Sequence, residues 1–180
     1  IKEVIKNIPL NVFVSSYKRT EQTWENVKKG LDRNNLTVEF DPRLREMEHT
    51  QWKDPKERIK RMAEYADMGF FYRYKYAESA ADVYERVTTF LNELKNERRS
   101  KRWYEVQRDC LIVSHNMTLK AVLMKFCKIH DREYKNFPEL DNCSPIFLDT
   151  YDFKTATINY DLTVGNKDLM KFLKEQEQKK

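Results

Sequence analysis

Of the 180 residues in this chain, the run Cys110-Leu111-Ile112-Val113-Ser114-His115-Asn116-Met117-Thr118-Leu119-Lys120 restricts the fold most. Four apolar-leaning residues lead straight into Ser114-His115, and apolar residues then recur at Leu119, Val122, Leu123 and Phe126. A short continuous apolar run followed at once by a helical period predicts a buried parallel strand turning into a helix. His115 would then stand at the carboxyl end of a strand, where open α/β sheets bind ligands. The first turn of the next helix offers backbone N–H groups and a positive dipole end to the same place. Such a place suits a phosphate. The plainer reading is a hydrogen-bonded polar residue that closes a strand.

A second junction of the same design lies near the start of the chain. Leu10 to Val14 reads as a strand, Ser15 and Ser16 follow, and a helix is expected through Lys29. Thr20, Trp24, Val27 and Leu31 share one face of that helix, Gly30 supplies a stop signal, and Arg19 falls in its first turn. Leu36 to Phe40 is a further strand closed by Asp41-Pro42, and Arg43 to Lys53 is expected to be a loop.

Asp54-Pro55-Lys56-Glu57 marks a helix start, continued by Ile59, Met62, Ala63 and Ala66 to about Asp67. Ser79 through Asp82 forms a capping box that opens a helix with Val83, Val87, Phe90, Leu91 and Leu94 on its buried face. The aromatic connector Gly69 to Ala77 is read as core packing in preference to a nucleic-acid stacking surface. The run Glu97 to Arg102 reads as a solvated helix end. Ile1 to Ile8 has a short helical pattern ended by Pro9. Ile146 to Tyr151 and Thr155 to Tyr160 look like paired strands around Asp152-Phe153-Lys154, and a terminal helix starts near Asp168. Strands alternating with helices predict an α/β fold with parallel strands. Without repeats or linkers, residues 1–180 read as a single domain.

Composition narrows the class. The 35% charged and 40% hydrophobic content fits a globular protein, and no apolar run reaches membrane-span length. A net charge of +5 permits an acidic ligand or partner without singling out nucleic acid. Cys110, Cys127 and Cys143, odd in number and without metal-ligand spacing, suggest reduced thiols and an intracellular, cytoplasmic setting.

Five separated signatures occur in one order. They are Val14-Ser15-Ser16-Tyr17-Lys18-Arg19-Thr20-Glu21-Gln22-Thr23, Asp41-Pro42-Arg43-Leu44-Arg45-Glu46, Phe70-Phe71-Tyr72-Arg73, the run Ala77 to Val87, and Leu111 to Lys120. Together they resemble the histidine phosphatase superfamily, the phosphoglycerate-mutase-like fold, and within it the branch of small phosphatases; the resemblance implies a three-layer α/β/α sandwich around a mostly parallel sheet. The resemblance implies phosphoryl transfer through a phosphohistidine, with no metal or organic cofactor. It implies catalytic roles for His115, as the second pocket histidine, and for Glu46, as the proton donor. Arg19, Ser15, Ser16 and Asn116 become the matching phosphate-binding positions. The implied ligand is phosphate or a phosphorylated small molecule.

The pattern also breaks. The family's nucleophilic Arg-His-Gly is absent from these residues, and neither His49 nor His130 follows an apolar strand. The family's first strand, which lies inside the sheet, is expected to precede Ile1. A sheet without an interior strand leaves buried backbone groups unpaired, so that strand is expected to exist, upstream or from another chain. Asn116, Ala77 and the loop after Glu46 stand where the family has glycines. Two functions compete: a phosphomonoesterase whose missing motif is supplied, and a catalytically inactive subunit serving a structural or docking role in a larger assembly. Binding of a phospholigand without turnover is a third.

Overall fold

The computed structural model describes residues 9–31, 35–49, 54–99, 109–149, 157–158 and 166–179. Leu10–Ser15 (β1), Leu36–Asp41 (β2) and Asp109–Val113 (β3) form a three-stranded sheet in the order β2-β1-β3. Both pairings are parallel, with Val12 opposite Val38 on one side and Leu111 on the other. Parallel pairing follows from the helix that must carry the chain back between neighbouring strands.

Period-two alternation then sorts the side chains of β1. Leu10, Val12 and Val14 pack with Trp24 and Leu31 of the helix Lys18–Leu31 (α1). Phe13 points to the opposite face and meets Phe90 of the helix Ala80–Arg99 (α3) edge to face, with ring centroids 5.2 Å apart. A helix therefore covers each face of the sheet, as expected for the phosphoglycerate-mutase-like α/β fold. Gly30 falls in the last turn of α1, which is described to the buried Leu31. β3, at one end of the sheet, is less enclosed than its apolar sequence suggests: Leu111 and Ile112 are half-buried and Cys110 is exposed.

The chain forms two compact units, residues 1–46 with 87–115, and residues 47–86 with 116–180. The sheet and α1 belong to the first. The second contains Pro55–Met68 (α2), the start of α3, Asn116–Cys127 (α4), the short antiparallel ladder of Leu148–Asp149 (β4) with Thr157–Ile158 (β5), and Lys167–Gln178 (α5). Its core gathers Leu123, Met124, Tyr134, Phe137, Leu169 and Leu173. The expected turn 152–154 between β4 and β5, and the helical pattern of residues 1–8, lie outside the described residues.

Local signals behave as the residue chemistry requires. Asp54 caps α2 by accepting from the Lys56 N–H at 2.9 Å, with Pro55 at the first position. Gly69 ends α2 at φ 62, where a β-carbon would come within 2.7 Å of the Lys135 side chain. The capping box of α3 is present: the Ser79 N–H donates to Asp82 at 2.7 Å, and the Asp82 N–H donates back to Ser79 Oγ at 3.2 Å. Asn166 caps α5 through the Leu169 N–H. Pro42–Leu44, expected as loop, is a 3-10 turn capped by the Asp41 carboxylate.

The aromatic connector is divided. Phe70 packs on Tyr84 and Tyr134, and Tyr74 is buried, but Phe71 and Tyr76 are exposed. α2 buries no residue, although Ile59, Met62, Ala63 and Ala66 fall at helical spacing.

Candidate functional site

The register of the sheet creates the site. Because β1 and β3 are parallel neighbours with Val14 opposite Val113, both strands end at one level. Ser15 closes β1, and Ser114-His115 follows β3. Ser15 Oγ lies 2.7 Å from Nε2 of His115, and both residues are buried.

The opposite side of the ring is also engaged. Arg19, in the first turn of α1, donates from Nε to Nδ1 of His115 at 3.0 Å. A guanidinium can only donate, so Nδ1 must accept, and the proton of a neutral ring then sits on Nε2. That N–H is directed to Ser15 Oγ. Tyr17 packs its ring edge-to-face on His115 with centroids 5.2 Å apart, and the Arg19 guanidinium carbon lies 4.8 Å from the same tyrosine centroid. Thr20 Oγ1 donates to the carbonyls of Ser15 and Tyr17 at 3.1 and 2.6 Å, fixing the turn that enters α1.

Glu46 is half-buried and closes the segment that leaves β2. Two contacts anchor that segment. Ser114 Oγ donates to the Leu44 carbonyl at 2.7 Å, tying it to the residue before His115. Arg43 grips the buried Asp41 carboxylate through Nε, at 3.0 Å to each oxygen, and also pairs with Glu93 of α3. The Asp41 hydrogen bond is the main cause that raises the Arg43 pKa; burial opposes it and Glu93 adds to it.

The structure thus brings Ser15, Arg19 and His115 into mutual contact and tethers the Glu46 segment to the same strand end. Ser16 is exposed at the bend before α1. Asn116, which follows His115 and opens α4, commits its amide elsewhere: Oδ1 accepts from the Leu140 N–H at 3.2 Å, and Nδ2 donates to Glu139. His49 and His130 are exposed. Sequence reasoning missed Tyr17 and Ser114. Tyr17 gives no periodic signal, and Ser114 hides beside the histidine that draws attention. Among the described residues no cluster of His, Cys, Asp and Glu could hold a metal ion, and no helix is long and apolar enough to cross a membrane.

A guanidinium fork beside a buried imidazole at a strand end suits an oxyanion. Comparisons with known proteins agree on the lineage. The family model described as histidine phosphatase superfamily (branch 1) matches residues 2–161. A phosphoglycerate mutase-like protein of Arabidopsis thaliana is 33% identical over 138 residues, covering 73% of this chain and 48% of that protein. A broad-range acid phosphatase of Saccharomyces cerevisiae is 25% identical over 136 residues, covering 74% of this chain and 40% of that protein. The chain thus spans less than half the length of these curated relatives.

Solved structures agree on the fold. Bacillus stearothermophilus YhfR superposes with a TM-score of 0.66 at 20% identity, covering 90% of this chain and 77% of that one. A mycobacterial glucosyl-3-phosphoglycerate phosphatase in complex with inorganic phosphate gives 0.65 at 21% identity, covering 90% and 79%.

Proposed function

The chain belongs to the histidine phosphatase superfamily, and from that premise we propose that Ser15, Arg19 and His115 are the phosphoryl-binding part of a phosphomonoesterase site. The observation that carries this reading is the direct contact of Arg19 with His115 at the ends of two adjacent parallel strands. Among the described residues the Arg19 side chain hydrogen-bonds through Nε alone. Its terminal nitrogens can take two phosphoryl oxygens as a fork.

A phosphoryl oxygen carries charge that neutral Nδ1 lacks, so it draws the guanidinium off the ring. Nδ1 can then take a proton, and the imidazolium adds a second cation beside the phosphoryl group. Ser15 keeps the ring oriented throughout, and Glu46 supplies the proton to the leaving oxygen. Turnover requires a nucleophilic histidine that these residues do not contain, such as that of the family's Arg-His-Gly motif. Its imidazole nitrogen forms a bond to phosphorus as the phosphorus–oxygen bond to the alcohol breaks. Water then cleaves the phosphorus–nitrogen bond and releases phosphate. The substrate class is a phosphorylated small molecule.

The resting state supports a second reading. With both ring nitrogens of His115 engaged, the pocket could bind a phospholigand without turnover in a noncatalytic subunit. One assay separates the two. The full-length protein should hydrolyse an aryl phosphate at mildly acidic to neutral pH, and Arg19→Ala should lower the rate by about 100-fold or more, as loss of a transition-state donor does. Full-length protein that binds phosphate but shows no turnover would leave only the noncatalytic reading.

A further inference from the structure

Lys120 is 4% exposed, and a buried ammonium requires a counter-ion. It lies one turn beyond Asn116 on α4, and long helical side chains lean back toward the helix N-terminus. The two polar groups therefore converge, and they meet on Glu139. Lys120 Nζ donates to Oε1 at 2.7 Å, and Asn116 Nδ2 donates to Oε2, so each carboxylate oxygen has its own donor. The Phe137 ring centroid lies 5.9 Å from the ammonium.

The backbone beside Glu139 is held independently of its carboxylate. Asn116 Oδ1 accepts from the Leu140 N–H at 3.2 Å, and Asn166 Nδ2 donates to the Glu139 carbonyl at 2.5 Å. Desolvation works to raise the Glu139 pKa, but the bonds from Lys120 and Asn116 outweigh it and hold the carboxyl below its ordinary value.

The two ions differ in one decisive respect. The Lys120 side chain is 5% exposed and that of Glu139 is 77% exposed. The cation is built into the fold, whereas the anion reaches it from the surface. Glu139 can turn into water and leave no buried charge of its own, but Lys120 cannot follow it. The geometry points to a displaceable oxyanion site in which Lys120 and Asn116 bind a small carboxylate or phosphate in place of the Glu139 carboxylate. Glu139 is the built-in competitor that fills the site until such an anion arrives.

The test uses the Arg19→Ala variant as background, so that success or failure of the Arg19 site does not enter. Inorganic phosphate and, separately, acetate are titrated calorimetrically. Adding Glu139→Gln should tighten binding about tenfold, the factor set by a competitor that fills the site nine-tenths of the time. A further Lys120→Met change should remove the gain. Tightening for both probes, or for phosphate alone, supports the site, and the second result narrows its ligand to phosphates. Equal affinity with and without Glu139→Gln, or a gain that survives Lys120→Met, overturns it. If Glu139→Gln does not unfold cooperatively, Glu139→Ala provides the same comparison.

Discussion

Ser15 Oγ and His115 Nε2 lie 2.7 Å apart although 100 positions separate the two residues in sequence. The parallel pairing of β1 with β3 brings them together, and burial of both gives the contact its importance. A buried donor that loses its acceptor bears the full desolvation penalty.

Ser15→Ala should therefore destabilise the protein by about 1–3 kcal/mol, read as a lower urea midpoint at unchanged slope. A loss below roughly 0.5 kcal/mol would mean that Nε2 finds another acceptor.

Arg19 is exposed, so on the proposed reading its truncation should affect ligand binding more than folding. Phosphate should raise the thermal unfolding midpoint of the wild-type chain, with about 2.7 kcal/mol of added stability at 100 times the dissociation constant. Arg19→Ala should lose most of that protection while its midpoint without phosphate stays close to wild type. Full protection in the variant would remove Arg19 from the site.

Two apolar residues at helical spacing should respond very differently to truncation. Trp24 is 1% exposed between α1 and the sheet, and Trp24→Ala should cost about 3–5 kcal/mol. Met62 on α2 is 54% exposed, and Met62→Ala should stay within about 0.5 kcal/mol. Denaturant titration of both variants makes the comparison.

Asp82 supplies a dependence on pH. Burial works to raise its pKa, but hydrogen bonds from Ser79 and the Arg73 partner prevail and hold it below the ordinary aspartate value. A depressed folded-state pKa contributes stability above the unfolded value of about 3.9, and that contribution is lost as pH falls through the folded value. Asp82→Asn should flatten this part of the stability profile below about pH 4 and leave the acid limb set by other carboxylates. An unchanged acid limb would show that Asp82 is not coupled to folding.

The β1 and β3 junctions were legible because each combines a strand pattern, a polar strand end and a helical period within about 20 residues. His115, Arg19 and Ser15 could be named for that reason, but not their hydrogen bonds, since the sequence does not reveal which strands are neighbours. Gly30 marked the end of α1 to within one residue, since the described helix runs to Leu31. α2 was legible from its Asp-Pro start, yet periodicity reports which residues share a side and not what covers it, and α2 buries none of its residues. Asn116 was legible as a departure from a glycine, while its bond to residue 140 depends on a segment 24 positions away that carries no local signal.

Ring-nitrogen NMR of 15N-histidine-labelled protein tests the proposed site most directly, with His115→Ala identifying one of the three histidines. The free chain should show His115 as a neutral ring with its proton on Nε2, and phosphate should bring a proton to Nδ1 as Arg19 turns to the ligand. A free chain with the proton on Nδ1, or a His115 spectrum that saturating phosphate leaves unchanged, would contradict a phosphoryl site built on Ser15, Arg19 and His115.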